Sequence, residues 1–181
     1  ADIVRLDGVS LTLEDVVRVA RGEGMVELDA EAARRVEASS AVVRAWESSD
    51  DVVYGVTTGF GDLATVNISR KDRRLLQENL LKSHACGVGE PFSEEITRAM
   101  MLLRINSLIR GFSGISLSTL NQYVAFLNLG ITPVVPSKGS VGASGDLCPL
   151  SHLALPLLGH GKVRYKGRVM MAAKALQATG L

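Results

Sequence analysis

The sequence predicts a mainly α-helical domain with a few short strands. Three observations support this fold class: apolar residues recur at helical spacing along most of the chain, several of these stretches start with capping residues, and β-branched residues gather only in short segments next to glycines. At 181 residues, of which 46% are hydrophobic, the chain is long enough to bury a sizeable core. We therefore expect residues 1–181 to form a single domain.

Two helices are predicted in the first part of the chain. Thr12 followed by Asp15 is typical of a capping box, and the apolar residues after it share one face of a helix that Gly22 ends. A second helix is expected to begin after Asp29 and to continue through Trp46, before a cluster of serines and aspartates interrupts the apolar pattern.

The next segment predicts one strand and one longer helix. Residues 52–60 combine β-branched residues with glycines, which favours a short strand that leads into a mobile loop. Ser69 with Asp72 indicates a second capping box. The helix that follows is expected to include His84 near its end and to stop before Gly87.

Two further helices and an extended connection follow. Ser93, with two glutamates in the turn after it, predicts a helix that continues to about Arg110. Another helix is expected from Ser116 to Leu129, with Gly130 as the left-handed residue at its end. Two prolines then favour an extended chain.

The last part of the chain predicts a buried helix, a hairpin and a short terminal helix. The apolar pattern of residues 147–158 favours the buried helix, with Pro156 as a kink or an end. A hairpin is expected over residues 162–170, with its turn starting at Lys166, and residues 172–179 predict the terminal helix.

The charge balance argues against two classes of partner. Lys and Arg number 20 against 19 Asp and Glu, so the formal charge is +1 and no basic surface for nucleic acid or an anionic membrane is expected. No apolar stretch approaches the roughly 20 residues of a membrane span, and the start of the chain does not resemble a signal peptide. We therefore expect a cytoplasmic protein.

The cysteines and histidines do not indicate a disulfide framework or a metal centre. Cys86 and Cys148 are expected to be free thiols. His84, His152 and His160 are scattered and lack carboxylates at helical steps. We expect no metal and no external cofactor.

Residues 139–147, GSVGASGDL, carry the strongest chemical signal in the chain. In a tight bend between glycines, the amide nitrogen of Gly145 can attack the carbonyl carbon of Ala143, and loss of water closes a five-membered ring. Loss of the Ser144 hydroxyl as a second water leaves an exocyclic methylidene. The product, a 4-methylidene-imidazol-5-one, is a strong electrophile of a kind that no encoded side chain supplies. The alternative interpretation of such small residues is an ordinary turn.

Four ordered blocks of sequence favour the chemical interpretation. They are YGVTTGFG from Tyr54, QENLLKSHACGVGEP from Gln77, RINSLIRGFSGI from Arg104 and GSVGASGDLCPLSHLALPLL from Gly139. In this order they resemble the histidine and aromatic amino acid ammonia-lyases and aminomutases, which carry the methylidene-imidazolone group. The resemblance implies the N-terminal, cofactor-bearing domain of the ammonia-lyase (fumarase/aspartase-like) fold, with the Ala-Ser-Gly triplet as its catalytic centre.

The resemblance also implies roles for residues outside the triplet. Tyr54 matches the family's candidate for the base that removes a proton from the substrate β-carbon. Because a phenol ionises only at about pH 10, such a base needs positive charge or donated hydrogen bonds beside it; the alternative is an ordinary tyrosine at a strand end. Gly61 matches a substrate-binding position, and Thr57 stands where the family often has asparagine. Gly142 and Asp146 match positions that support ring formation, and capping of the next helix is an equal alternative for Asp146.

Ser83 and His84 match the pair that varies with substrate in this family. Histidine lyases carry Ser-His, whereas tyrosine and phenylalanine enzymes commonly carry pairs like His-Leu or Phe-Leu. The resemblance therefore implies that His84 contacts the imidazole of a substrate histidine. Two alternatives stay open: some tyrosine aminomutases resemble the Ser-His pattern, and a lone histidine near a helix end is often structural.

The function implied is elimination of ammonia from L-histidine to give urocanate, in a parent protein expected to be a homotetramer with active sites built from several subunits. The alternatives are elimination from tyrosine or phenylalanine, 2,3-amino migration on the same group, and a non-catalytic scaffold in which the ring never closes. The family's C-terminal helical bundle is not part of residues 1–181. We therefore expect the segment alone to be inactive and to close the ring slowly or not at all.

Overall fold

The mainly helical class with a few short strands is confirmed by the computed structural model, which describes residues 2–60, 62, 64–66 and 68–181. Its helices are α1 (Leu13–Ala20), α2 (Ala30–Glu47), α3 (Arg70–His84), α4 (Glu94–Leu108), α5 (Leu117–Leu129), α6 (Leu147–Ala154) and α7 (Ala172–Thr179). Its strands are β1 (Asp2–Leu6), β2 (Gly24–Leu28), β3 (Val88–Pro91), β4 (Thr132–Pro133), β5 (Pro136–Lys138), β6 (Lys162–Tyr165) and β7 (Arg168–Met171). A 3₁₀ turn, Leu155–Leu158, directly continues α6 and includes the proline predicted to end it.

Most helices begin where their capping residues predict. Before α1, the Thr12 side chain accepts a hydrogen bond from the Asp15 N–H and the Asp15 carboxylate accepts one from the Thr12 N–H, so the first capping box is confirmed. The residues before α2, α4 and α5 also cap with their side chains. Ser69 does precede α3, but its hydroxyl donates to the Asp72 carboxylate at 2.6 Å and no side-chain cap forms. The second predicted capping box is therefore wrong.

Residues 52–60 do not form the predicted strand; they are mostly turns. The N–H groups of residues 56 and 57 both donate to the Val53 carbonyl, which closes the backbone on itself. Gly55 has a φ of +73°, a left-handed conformation that reverses the chain and that an extended strand does not contain. The glycines here produce a compact loop, and they outweigh the β-branched residues.

The strands form three small sheets. β1 and β2 pair in parallel, with Asp2 opposite Gly24. The sequence pattern does not indicate either strand, because each has only five residues and α1 separates the two strands in the sequence. The predicted hairpin is confirmed as β6 and β7, which are joined through Lys166 (φ 49°) and Gly167 (φ 71°), and β4 pairs with β6.

The core lies around α4 and α5, and a buried arginine joins it to two helix ends. Fully buried side chains include Leu6, Val26, Met101, Leu102, Ile105, Leu120, Phe126 and Ile131. The Arg98 guanidinium donates to the carbonyls of Val19 and Leu127, at the C-terminal ends of α1 and α5. Burial lowers the pKa of Arg98, and its hydrogen bonds give a further donor to carbonyls that otherwise accept only from the N–H groups of the helix ends.

Two contacts of the fold position the residues of interest. α3 packs against α6, the helix that follows the triplet. β3 pairs antiparallel with β5, with Val88 opposite Lys138, so the segment after α3 lies beside the segment that leads into the triplet. Within the part of the chain that the structure describes, every helix is too short or too polar to span a lipid bilayer.

Candidate active site

The Ala-Ser-Gly triplet lies in a solvent-exposed turn between β5 and α6. Residues 142–144 form the turn, and the Ala143 and Ser144 side chains are exposed. Gly142 and Gly145 have φ values of +83° and +75°, so a left-handed residue stands on each side of Ser144. This geometry holds three small residues in the compact bend expected from the sequence.

Gly145 occupies a position that only glycine fits. A Cβ atom at this residue would lie 2.6 Å from the Ser140 Oγ, and side chains rarely adopt its φ. The chain has therefore curled back until residue 140 borders residue 145. An unobstructed amide nitrogen within a compact turn is what closure of a five-membered ring requires, so Ala143, Ser144 and Gly145 fit a methylidene-imidazolone.

Asp146 stands at the start of α6 without capping it. Its backbone is helical, with φ −107° and ψ −7°, and its side chain accepts no capping hydrogen bond. The capping interpretation of Asp146 is therefore wrong, because an N-cap needs an extended backbone to aim its oxygen at the first N–H groups. The carboxylate is exposed next to the triplet.

Close packing fixes the segment behind the turn. A Cβ at Gly139 would lie 2.4 Å from the Cys148 Sγ and 3.2 Å from the Gly87 Cα. A Cβ at Gly87 would in turn lie 3.2 Å from both the Cys148 Sγ and the Pro136 Cβ. Cys148 is buried and its thiol is free, as is that of the exposed Cys86. Two glycines and one thiol thus bring the chain after α3, the chain before the turn and α6 into direct contact.

The Ser83 and His84 pair lies at the C-terminal end of α3. The Ser83 hydroxyl donates to the Leu80 carbonyl at 2.9 Å, and the His84 Nδ1 lies 2.9 Å from the same oxygen. The Ser83 Oγ lies 3.2 Å from the same Nδ1. With the proton on Nδ1, the ring donates to the Leu80 carbonyl, which only accepts. In the neutral ring Nε2 is then an acceptor, and among the described residues it has no hydrogen-bond partner.

His152 connects this end of α3 to α6. Its Nε2 accepts a hydrogen bond of 3.0 Å from the Gly87 N–H, three residues after His84. Burial lowers the pKa of His152, which favours the neutral ring that can accept. Sequence reasoning assigned no function to this residue. The one available signal is its place in the helix predicted directly after the triplet.

His160 belongs to a partly exposed ionic cluster with two residues of α3. Its Nε2 lies 3.0 Å from a Glu78 carboxylate oxygen, and the Lys82 Nζ lies 2.6 Å from the same oxygen. Hydrogen bonds from Lys82, and then from His160, lower the pKa of Glu78. No group of three metal-ligating side chains occurs among the residues that the structure describes.

Tyr54 lies in the loop of residues 52–60, and its described contacts do not include the triplet. Its side chain is 63% exposed, and its ring meets that of Phe60 edge-on, with centroids 5.6 Å apart. It lines a groove of about 860 Å³ between α2 and the loop of residues 110–114. In the described residues no hydrogen bond or ring contact joins Tyr54 to Ser144. Gly61, the other candidate from this block, lies outside the described residues.

Thr57 gives the Tyr54 loop its shape. It is fully buried, and its hydroxyl donates to the Asp51 carbonyl at 2.7 Å while it accepts from the Val53 N–H at 2.9 Å. The buried Arg73 of α3 donates to the carbonyls of residues 47 and 68, on either side of the loop. Threonine at this position thus has a structural role, and the loop is anchored at its base to α3.

Comparison with known proteins places these features in one family. The sequence profile described as "Aromatic amino acid lyase" matches residues 11–181. A histidine ammonia-lyase from Streptococcus sanguinis (strain SK36) is 50% identical over 179 residues, which is 99% of this chain and 35% of that protein. The chain therefore spans about a third of the length of this relative.

Two solved structures have the same fold over nearly the whole chain. The histidine ammonia-lyase from Trypanosoma cruzi superposes with a TM-score of 0.89 at 36% identity, covering 99% of this chain and 34% of that one. The tyrosine aminomutase from Streptomyces globisporus superposes with a TM-score of 0.90 at 36% identity, covering 98% and 33%. The fold is thus that of the N-terminal region of these proteins.

Proposed function

Since the chain belongs to the aromatic amino acid lyase family, we propose that it is the N-terminal, cofactor-forming part of an enzyme that eliminates ammonia from L-histidine and releases urocanate. The observation that carries the proposal is the exposed turn that presents Ser144 between two left-handed glycines. Identity of 50% to a histidine ammonia-lyase supports histidine as the substrate.

The triplet supplies the catalytic centre. The Gly145 amide nitrogen attacks the Ala143 carbonyl carbon, water leaves, and a second water leaves from Ser144. When formed, the group provides an electrophile that makes the substrate's ammonia a better leaving group. The contact between Ser140 and Gly145 supports this step, because it keeps the bend compact. The exposed carboxylate of Asp146 lies next to the ring atoms in sequence and assists closure, and Gly142 provides the turn's first left-handed residue.

The Ser83 and His84 pair recognises the substrate side chain. The hydrogen bond to the Leu80 carbonyl orients the His84 ring and leaves Nε2 as an acceptor. The imidazole of histidine carries an N–H donor that this nitrogen can bind, whereas a phenylalanine ring offers no such donor. A polar acceptor that a substrate leaves unpaired costs binding energy, so this arrangement favours histidine over phenylalanine.

Tyr54 acts as the base that takes the proton from the substrate β-carbon. Its phenol is accessible to solvent and lies in a loop built from turns. The proposal requires the phenol to reach a triplet, either by movement of this loop when substrate binds or across a subunit boundary, with Gly61 lining the bound substrate. The homotetrameric assembly and the cytoplasmic location remain predictions; sedimentation of the complete protein tests the first.

A single substitution in the complete protein tests the proposed function. In the unaltered protein, the peptide of residues 139–147 should lack two water masses relative to the encoded sequence, and histidine should yield urocanate. Ser144→Ala should abolish both, while Ser137→Ala, at an exposed serine in β5, should change neither. Full activity of Ser144→Ala would discard the proposal.

The same protein assayed on tyrosine and phenylalanine tests the nearest alternative. Similarity to a tyrosine aminomutase favours this alternative specifically. A β-amino acid or a cinnamic acid product, together with no urocanate from histidine, would assign the chain to it. A peptide of encoded mass in an assembled, inactive protein would instead identify a non-catalytic scaffold.

A further inference from the structure

The hydrogen bond between the Gly87 N–H and the His152 Nε2 joins the two halves of the proposed site. Gly87 follows His84 by three residues, and His152 lies on the helix that starts directly after the triplet. The bond is 3.0 Å long and spans 65 residues of sequence. It therefore connects the segment after Ser83 and His84 to the helix after the triplet through one side chain.

The His152 Nε2 supplies the hydrogen bond in this connection, beside the packing of Gly87 against Cys148. A Cβ at Gly87 would lie 3.1 Å from that nitrogen, so the imidazole reaches the backbone only because residue 87 has no side chain. The N–H groups of residues 85 and 86 bond back to Leu81 and His84, which shapes the end of α3 but does not tie it to α6. On the far side, β3 is held by its pairing with β5.

We infer that His152 is a positioning residue that sets the distance between His84 and the triplet. This inference rests on the proposed function. Without the acceptor, the Gly87 N–H loses its partner and the link between α3 and β3 shifts. The turn itself stays fixed by the packing of Gly139 on Cys148. Substrate binding should therefore weaken, while ring formation continues.

Two amide substitutions in the complete protein separate this role from simple loss of structure. Glutamine can place its oxygen near the position of Nε2, whereas the shorter asparagine cannot reach it. His152→Asn should raise KM for histidine about five- to tenfold, the size expected for one lost hydrogen bond, with kcat and the two-water mass loss unchanged. His152→Gln should keep KM within about twofold of the unaltered enzyme.

Gln122→Leu is the matched control. It removes a 2.9 Å side-chain bond to the Leu157 carbonyl, between α5 and the 3₁₀ turn, and it should leave KM unchanged. Equal KM values for the asparagine and glutamine variants of His152, or an equal rise for Gln122→Leu, would overturn the inference. So would loss of the ring in His152→Asn.

Hydrogen exchange at Gly87 gives a readout that does not depend on activity. Its amide should be protected in the unaltered protein and in His152→Gln, and should exchange faster in His152→Asn. If this pattern holds while histidine gives no urocanate, the positioning contact stands and the proposed substrate fails. If the amide exchanges at the same rate in all three proteins, the contact is absent and the inference fails by itself.

Discussion

Gly139→Ala should strain the packing behind the triplet. The added Cβ would lie 2.4 Å from the Cys148 Sγ, while ordinary contacts begin at 3.4 Å, so the two atoms must together separate by about 1.0 Å to reach an ordinary contact. Gly139 does not have a left-handed backbone, hence the substitution tests contact rather than conformation. Overpacking of a tight interior commonly costs about 1–3 kcal/mol, and we expect a loss of unfolding free energy in that range.

A second substitution should relieve this strain. Cys148→Ala alone removes a buried sulfur and should cost about 1 kcal/mol, but combined with Gly139→Ala it removes the clash. The double-mutant cycle, measured by urea denaturation of the 181-residue chain, should therefore give a favourable coupling energy of about 1 kcal/mol or more. Gly24→Ala is the control, because its nearest neighbour would lie 3.4 Å away, and it should change stability by no more than about 0.5 kcal/mol. Equal stability of Gly139→Ala and the unaltered chain, or a coupling energy of zero, would show that residue 139 does not pack tightly against Cys148.

Two other substitutions test the Tyr54 loop and the ionic cluster on α3. Thr57→Val removes both hydrogen bonds that the hydroxyl makes to the backbone of residues 51–53. We therefore expect faster proteolysis within the loop and a loss of about 1–3 kcal/mol in the free energy of unfolding. Thr57→Ser keeps the hydroxyl and should match the unaltered chain in both measurements. Hydrogen bonds from Lys82 and His160 hold the pKa of Glu78 below its usual value of 4.5 in the folded chain. The charged carboxylate therefore stabilises the fold above pH 4.5, and this effect is lost as the pH falls through the lowered pKa. The stability advantage of the unaltered chain over Glu78→Gln should therefore be greatest near neutral pH and vanish in acid; an advantage that stays constant with pH would contradict this.

The helices could be predicted because their signals are local. Thr12 with Asp15, and the serine before α4, mark helix starts through hydrogen bonds that span only three residues. β1 and β2 could not be predicted in this way, since a parallel pair depends on a partner that the intervening helix brings back. Ser69 shows the limit of a motif: its hydroxyl bonds to the predicted partner Asp72, yet it caps nothing.

The chemistry of the triplet could be predicted because reactivity resides in three consecutive residues. The contacts that support the triplet could not, because they join its flanking residues to Gly87, which is far away in sequence. Cys148 and His152 lie on one helix, and what they contact is glycine backbone at positions 87 and 139. A glycine that packs closely against another residue gives no periodic pattern in the sequence and has no side chain that would indicate this neighbour. Only the folded chain therefore identifies these contacts.

For Tyr54, the sequence motif predicts a chemical role, and the fold shows where the side chain lies. The motif assigns a base to this position, whereas the fold puts the phenol in a groove beside α2, with an edge-on contact to Phe60. The two are compatible if the loop of residues 52–60 moves when substrate binds, or if Tyr54 meets the triplet of a neighbouring subunit in the assembled protein. Thr57 and Arg73 anchor the loop's base through backbone carbonyls and leave the Tyr54 side chain free of that anchor. The hydrogen bonds that fix the base stay in place in either case, because none of them involves the Tyr54 side chain.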